Sequence, residues 1–433
     1  MIHEFVAFWQ AKGFEAFVRI FWFLIFFEFT RYILLDYIVM IYYAIKRKVM
    51  DRKWELARMA LWVERPLVSI VVPGRNEGDH LYKLVRSLAE QTYQNVEIII
   101  VDDGSDDQTQ IIGNGLMKAG LINLFLRNEV RGGKASAANL AWRYAKGKFI
   151  VHLDADCSFH YTAIENSLVP FYMDEKIGGV GGSLEVRDGM KNLCTTLQRI
   201  EYLKTISLGR IVTTALGIYP IISGAFGVFR AEVIDKVKGW DIGPGLDGDL
   251  TTKIRKAGYK NYFEPDAIGL TSVPDSFLKL ANQRLRWNKS VIRFRIRKHS
   301  SVFKADEHFS FLNLMASMES IMYSVVFNIL WYINLADQII NFPHELMYIF
   351  PMSILMYVIS NYIQFILVLI ISHEDFMQRV KLLPFLPLMV IYNGFYMRIV
   401  RTVAHFSELF FWSSYNDAWN PRKTSKYAEE LKL

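Results

Sequence analysis

The sequence has little cysteine and lacks the motif that would commit it to a dinucleotide cofactor. Cys157 and Cys194 are its two cysteines, too few for a disulfide framework, and neither belongs to a CxxC pair. The central part therefore fits a reducing compartment, where we expect Cys157 to be buried. No GxGxxG follows the first strand-like run, which argues against a nucleotide-dependent dehydrogenase.

Two further features are missing, one at the start of the chain and one in its charge pattern. The first residues carry no basic cluster, and no small-residue cleavage site follows the apolar stretch, so we expect no cleavable signal peptide. The formal charge is +7, yet no basic stripe interleaved with aromatic residues crosses the central part. We therefore expect no nucleic-acid partner and assign the excess of Lys and Arg to membrane ends.

Apolar residues make up 52% of the chain and concentrate before about residue 45 and after about residue 310. The first run, 17–45, is long enough for one tilted membrane helix, since a span needs roughly 20 residues. A basic cluster over 46–53 follows it and, by the positive-inside rule, places the next domain in the cytoplasm. The sequence thus predicts a multi-pass protein of the inner (plasma) membrane.

Three more apolar stretches follow at 312–336, 346–371 and 382–400. The first two predict membrane spans. The third contains Pro384 and Pro387 and either enters the membrane partly or lies at the interface. Three crossings would leave the basic tail outside, whereas the positive-inside rule prefers it inside. The sequence leaves this topology open.

Polar side chains inside the apolar stretches are costly when they face lipid. We expect them to line the interior or a polymer path, with hydrogen bonding between helices as an equal alternative. The residues concerned are Glu28, Arg31, Asp36, Glu319, Asn328 and Asn334.

From Pro66 onward, apolar strand-like runs alternate with helical stretches. The runs at 67–73, 95–103 and 147–156 predict buried strands, separated by helices such as 80–91 and 134–146. This alternation predicts an α/β domain with a mostly parallel sheet covered on both faces. Ligands bind such sheets beyond the carboxyl ends of the strands, where polar residues gather here.

Two acidic motifs lie at those ends. VDDGSDD at 101–107 suits either a turn that presents carboxylates to a base or ribose, or a plain turn. Asp154 and Asp156 follow a buried strand, where two carboxylates are expensive unless something compensates them. A hard cation, Mg²⁺ or Mn²⁺, would do so and would bridge diphosphate oxygens.

Two later motifs complete the set. In the segment 243–259, Asp247 is a candidate general base and Asp249 suits a helix N-cap. In Gln283-Arg284-Leu285-Arg286-Trp287, arginine can neutralise a departing diphosphate and tryptophan can pack against a sugar ring. The alternative for the last motif is a basic, aromatic helix at the membrane interface.

The order DDGS, DAD, LDGD and QRLRW, with a membrane segment before and several after, resembles the processive family 2 glycosyltransferases. These include cellulose, hyaluronan, chitin-oligosaccharide and poly-N-acetylglucosamine synthases. The resemblance covers about residues 66 to 300 and implies a GT-A-type domain inserted between transmembrane helices, with amphipathic interface helices.

The resemblance assigns roles residue by residue. It implies that Asp247 is the catalytic base and that Asp154 and Asp156 hold the metal. It implies that the acceptor meets Ser223, Gly224 and Trp287. Donor-binding residues would be Pro73, Asn76, Glu77, Asp102, Asp103, Lys134, Asp154, Gln283 and Arg286. One departure is Leu246, where the family usually has Glu, which puts part of the hydrogen bonding around the base in doubt.

The predicted organisation has five parts. They are a membrane segment over 1–50, a cytoplasmic glycosyltransferase domain over 51–275, interface helices over 276–310, transmembrane or interfacial helices over 311–412 and a basic tail over 413–433. The predicted activity is inverting polymerisation of a sugar from UDP-glucose or UDP-N-acetylglucosamine into a β-linked polysaccharide, with help in its translocation. The predicted partners are the UDP-sugar donor, the growing polysaccharide and the bilayer.

Alternatives remain for activity and regulation. One is transfer of a single sugar to a lipid carrier, against which QRLRW argues. Another is a non-catalytic component of a secretion complex. No domain for cyclic dinucleotides is appended, so we expect any such control to come from an accessory secretion or regulatory subunit.

Overall fold

A computed structural model describes residues 2–243, 245–305, 309–371, 375–416 and 421–431. Eight strands form one sheet in the order β3-β2-β1-β4-β7-β6-β8-β5. They are β1 (Val68–Gly74), β2 (Val96–Asp102), β3 (Leu124–Arg127), β4 (Phe149–Leu153), β5 (Ser158–Phe159), β6 (Ile177–Val186), β7 (Phe226–Arg230) and β8 (Lys260–Thr271).

The sheet is mostly parallel, as the sequence predicts. β3, β2, β1 and β4 run parallel to one another, and β6 runs parallel to β8. β7 lies antiparallel between β4 and β6, and the short β5 is antiparallel to β8. The three predicted strands are β1, β2 and β4, so their carboxyl ends meet at one edge.

Helices cover both faces of the sheet. In the central domain they are α3 (Gly78–Ala89), α4 (Thr109–Lys118), α5 (Lys134–Tyr144), α6 (Ala163–Met173), α7 (Leu193–Glu201), α8 (Gly209–Ala215), α9 (Ala231–Val237), α10 (Leu246–Lys256) and α11 (Phe277–Ser290). Before them lie α1 (Ile2–Ile20) and α2 (Asp36–Glu64), and after them α12 (Phe311–Ile321), α13 (Phe327–Asn341), α14 (Leu346–Ile371), α15 (Phe376–Val380), α16 (Met389–Ile391), α17 (Met397–Phe411) and α18 (Arg422–Glu430).

Several of these helices continue through π or 3₁₀ turns, which widen or tighten the backbone where helices join. The π segments are Leu24–Leu35, Tyr202–Leu208, Val291–Lys298, Met322–Val326 and Tyr392–Tyr396. The 3₁₀ segments are Ser300–Phe303, Pro343–Glu345, Leu383–Leu388 and Ser413–Asn416.

The core has two parts because strand side chains alternate between the faces of the sheet. In β1, Val68, Ile70 and Val72 join the cluster that contains α3 and α6, whereas Val71 joins the cluster on the other face. On that other face α5 contributes four small buried residues, Ala135, Ala137, Ala138 and Ala141, which let the helix approach the sheet closely.

Charged residues of the first apolar run lie inside the protein, as expected. Glu28 pairs with Arg398, and Arg31 pairs with Asp36 at 2.5 Å and with Glu319 at 3.4 Å. These pairs link the first segment to α12 and α17, because an unpaired charge at this depth is expensive. Asn328 likewise donates to Thr402 at 2.7 Å.

Three helices in the described ranges are long and apolar enough to cross a membrane: Phe311–Asn341, Pro343–Ile371 and Phe376–Phe411. The protein is therefore a membrane protein. The run 17–45 is not among the three, because Glu28, Arg31 and Asp36 interrupt it. Its crossing stays a prediction.

The third candidate helix packs along the central domain. Near its middle Tyr392 donates to Glu201 at 2.7 Å, and near its end Glu408 accepts from Arg297 at 2.8 Å. Both partners belong to the part of the chain before α12, so the segment 392–408 contacts the central domain at both of these points. Beyond it, Thr424 of α18 donates to Gly132 at 3.3 Å. The tail thus contacts the central domain, and its side of the membrane stays a prediction.

Candidate functional site

The first acidic pair, at the end of β2, is committed to the protein's own backbone. Asp103 accepts from the backbone N–H groups of Gly132 and Gly133 at 2.8 and 2.7 Å and from Asn128 at 2.9 Å. Asp102 accepts from Ser105 and pairs with Arg127 at 3.1 Å. Both carboxylates therefore shape the two loops that border the site. Their contact with a base or ribose stays a prediction.

The end of β1 is fastened to the same loops. Pro73 lies beside Val101 in the sheet register. Asn76 has a left-handed backbone (φ 59°), its N–H donates to Ser105 Oγ at 2.8 Å, and its side-chain oxygen accepts from the backbone N–H of Asp106 at 3.0 Å. The residues expected to border the donor are thus held in one rigid rim.

The second acidic pair, Asp154 and Asp156, follows β4. Burial, and then Asp156 and Asp154, raise the pKa of Glu77, which follows β1, to about 8. Burial and the neighbouring Asp154 also raise the pKa of Asp156. Carboxylate oxygens of this kind are the ligands that Mg²⁺ and Mn²⁺ take in proteins. Among the described residues, no group of three or more such side chains is arranged to hold a metal ion.

Lys134 joins this cluster from the first turn of α5. Its ammonium group forms an ion pair with Asp154. Burial would lower the pKa of Lys134, but the carboxylates of Asp154 and Asp247 outweigh it, so the pKa is raised and the group stays charged. Lys134 also experiences the positive charge of Arg286. Residues of α5, α10 and α11 and the residue that follows β4 therefore lie close enough for their charges to interact.

Asp247 lies against the loop before β7. A Cβ atom placed on Gly224 would be 2.3 Å from Asp247 Oδ1, so only glycine leaves room for this carboxylate. Asp154 N–H donates to the carbonyl of Ala225 at 3.5 Å, which brings the same loop beside the acidic pair. The structure thus brings together Ser223, Gly224, Asp247 and Asp154, which the sequence separates widely.

His152 is a residue of this site that the sequence reasoning missed. It is buried in β4, and its Nδ1 lies 2.6 Å from the carbonyl oxygen of Gly224. Burial, and then the charge of Lys134, lower the pKa of His152 to about 4. The neutral ring therefore donates from Nδ1 and holds Gly224 in place. The available signal was a lone histidine in an otherwise apolar strand.

The expectation that Asp249 is a helix N-cap is wrong. Helix α10 has Gly245 as its N-cap and no side-chain capping bond. Asp249 instead accepts from Lys298 at 2.8 Å and from His299 at 2.7 Å. It ties α10 to the π segment that follows α11, whereas Asp247, two residues earlier, stays at the site.

The QRLRW motif lies on α11 and divides into two groups. Arg284 is buried and pairs with Glu201 at 2.8 Å, and its guanidinium group stacks 4.1 Å from the Trp287 ring centre. Trp287 remains 41% exposed, so one face is open to a ligand. Gln283 keeps a buried side-chain oxygen without a hydrogen-bond partner among the described residues. The structural role of Arg284 was not foreseen.

The chain is similar to several known proteins. Residues 69–238 match the family model described as Glycosyl transferase family 2. The chain is 30% identical over 253 residues to the poly-beta-1,6-N-acetyl-D-glucosamine synthase of Staphylococcus epidermidis, covering 57% of this chain and 59% of the relative. It is 27% identical over 258 residues to the enzyme of the same name from Staphylococcus aureus, covering 59% of this chain and 60% of the relative. The chain thus spans about 60% of the length of these curated relatives.

A solved structure shares the fold. The mannosyltransferase PcManGT from Pyrobaculum calidifontis, in complex with GDP-Man and Mn²⁺, superposes with a TM-score of 0.54 at 18% identity. The match covers 87% of this chain and 99% of that one.

Proposed function

We propose, from the match of residues 69–238 to the family model described as Glycosyl transferase family 2, that the chain is a membrane-embedded polysaccharide synthase. It transfers a sugar with inversion from a UDP-sugar to the growing end of a β-linked polymer, at the cytoplasmic face of the inner (plasma) membrane, and helps the polymer across. The names of the relatives favour UDP-N-acetylglucosamine over UDP-glucose as the donor.

One observation carries the proposal. The carboxylate of Asp247 lies against Gly224, and the charge of Asp247 acts on Lys134, which is paired with Asp154. A candidate base, an ammonium group and a carboxylate on the diphosphate side therefore share one site. This arrangement supports a single displacement, which inverts the anomeric carbon.

In this mechanism Asp247 accepts the proton of the acceptor hydroxyl as its oxygen attacks the anomeric carbon. The bond from that carbon to the diphosphate oxygen breaks, and the nucleoside diphosphate leaves. Lys134 and Arg286 stabilise the negative charge that develops on the leaving group. Ser223, Gly224 and Trp287 hold the acceptor sugar, with Trp287 offering its exposed ring face.

The carboxylates of Asp154 and Asp156 would hold Mg²⁺ or Mn²⁺; burial and then these two carboxylates raise the pKa of Glu77 beside them, and a cation would offset the second contribution. A bound divalent cation supplies Lewis-acid stabilisation of the diphosphate. Glu77 with Pro73, Asn76, Asp102 and Asp103 forms the wall on which the uridine would rest. Gln283 and Arg286 would close over the diphosphate.

The proposal is tested by nucleoside diphosphate release and radiolabelled polymer formation by purified protein in lipid, across a panel of UDP-sugars with Mg²⁺ or Mn²⁺. Asp247→Asn is compared with Asp79→Asn, an exposed carboxylate on α3. We expect a long product from one donor, lost in Asp247→Asn and kept in Asp79→Asn.

Two outcomes would replace the proposal. A product of one sugar on a lipid would assign the chain to lipid-carrier glycosylation. Absence of turnover with every donor, in native membranes as well as after purification, would assign it a non-catalytic place in a secretion complex.

A further inference from the structure

Helix α2 carries apolar side chains on a face that the described chain leaves exposed. Its opposite face is buried, with Ala57 and Leu61 packed into the sheet core. The exposed positions recur at alternating steps of four and three residues, with Arg52 as the single polar member. We call these eight positions the α2 seam: Ile38, Tyr42, Ile45, Val49, Arg52, Leu56, Met59 and Val63.

This spacing is that of a coiled-coil seam, in which apolar residues repeat every 3.5 residues on average. In the proposed orientation, lipid covers the part from Ile38 to Ile45. Val49 and Arg52 lie within the basic cluster at 46–53, and Leu56, Met59 and Val63 follow it, so in this orientation that part of the seam lies beyond the bilayer. Val49 is 78% and Val63 is 87% exposed, so this part needs a protein partner to be covered.

The charged residues that flank the α2 seam determine which kind of partner helix can bind it. Lys46, Lys48, Arg52 and Lys53 are exposed, and none forms an ion pair within the described ranges. The flanking positions offer one acid against them, Glu55. A basic helix face of this kind attracts an acidic one.

A second copy of this chain is disfavoured by the same charges. Two α2 helices in one membrane run parallel, which places Lys48 of each copy near Lys53 of the other and Arg52 against Arg52. Like charges at these positions destabilise a coiled coil.

We propose that the α2 seam docks a helix of a partner protein anchored in the same membrane, whose apolar seam is flanked by Asp and Glu. The part of the α2 seam in the membrane and the part beyond it lie on one continuous helix. The partner helix therefore continues from the bilayer along α2. The proposal concerns assembly and does not depend on which sugar is transferred.

The experiment uses the full chain in lipid nanodiscs and two fluorescent synthetic helices of three heptads. Both have leucine at the seam positions; one has Glu and the other Lys at the flanking positions. We expect the Glu helix to bind about tenfold or more tightly than the Lys helix, with affinity that falls as salt rises. Met59→Glu with Val63→Glu should abolish binding, whereas Ile111→Glu, at an exposed apolar position on α4, should not.

Two results would overturn the proposal. Equal binding of both synthetic helices, or binding of neither, would show that the α2 seam does not select an acidic partner helix. A disulfide between two copies of Met59→Cys in bilayers would assign the seam to a second copy. That cross-link would be specific, since Cys157 and Cys194 are buried.

Discussion

Two pairs of acidic residues lie at the carboxyl ends of β2 and β4, the two strands on either side of β1, and their hydrogen bonding differs. Asp103 has three hydrogen-bond donors from its own chain, and Asp102 has Ser105 and Arg127. Asp154 pairs with Lys134, Asp156 accepts from the Cys157 thiol at 3.4 Å, and burial together with these two carboxylates raises the pKa of Glu77. Each carboxylate of the first pair thus has several donors in the protein itself, whereas those of the second pair have fewer and lie near a third carboxyl group.

The contrast teaches how to separate a scaffold carboxylate from a ligand-binding one. Both pairs follow apolar strands, and both are buried or half-buried. What differs is the number of donors that point at each oxygen. A carboxylate that accepts from several backbone N–H groups fixes the conformation of a loop. A carboxylate that lies near other carboxylates is a candidate ligand for a cation.

The largest effect should come from the second pair. Asp154→Asn should lower kcat by about 10² to 10³-fold because a ligand of the cation and a partner of Lys134 are lost. The Tm without divalent cation should change little, since the lost ion pair is offset by weaker repulsion of Asp156. The rise in Tm on adding Mn²⁺ should disappear. A large fall in the Tm of Asp154→Asn without cation would show that Asp154 stabilises the fold. The two acidic pairs would then not differ in role.

Gly224→Ala should be next. The new methyl group would meet Asp247 Oδ1 at 2.3 Å, so the carboxylate must move. A displacement of about 1 Å can cost 10²-fold in kcat, with a smaller effect on KM for the donor. Gly115→Ala, where the added carbon meets nothing within 4 Å, is the matched control. An unchanged kcat in Gly224→Ala would contradict the proposed role of Asp247 as the catalytic base.

Asp103→Asn should act on stability first. Loss of the charged acceptor for Gly132 and Gly133 should cost about 2 kcal/mol in the free energy of unfolding. Hydrogen exchange of those two amides should accelerate. If Tm and exchange stayed as in the parent and only the donor KM rose, the carboxylate would be a ligand group and the comparison would fail.

Asp249→Asn should have the smallest effect and a distinctive pH dependence. Burial alone would raise the pKa of Asp249, but His299 and Lys298 outweigh it and lower the pKa below 3.8. The ionised group therefore contributes stability above its unfolded pKa, and this is lost as pH falls from about 4 downward. The parent should exceed the variant in Tm at pH 7 and approach it at low pH. A constant Tm difference at every pH would contradict the ion pairing.

Much of the fold could be predicted because its signals are local. The runs that became β1, β2 and β4 are continuous apolar segments, and their ends put the polar residues at one edge. The glycine-rich β6 gives no such signal. A Cβ on Gly182 would be 2.2 Å from Phe226, a contact between distant segments that no pattern in the strand reveals.

The site was predictable in its members and less so in their partners. Asp249 was expected to cap a helix because capping is local, and its true partners, Lys298 and His299, lie about fifty residues away. Arg284 was grouped with a ligand-binding motif, but Glu201 of α7 holds it. The sequence shows which residues are charged. It does not show which of them form ion pairs, because the partners are distant along the chain.

The pairing of Glu28 with Arg398 and of Arg31 with Glu319 also constrains how the protein is made. The partners of Glu28 in α17 and of Arg31 in α12 lie 370 and 288 residues further along the chain, whereas Asp36, the other partner of Arg31, is five residues away. Arg31 is therefore neutralised within its own segment, but Glu28 has no counterpart until α17 packs against it. We expect the docking of α17 on this segment to be a late step of folding, because it is the step that neutralises Glu28.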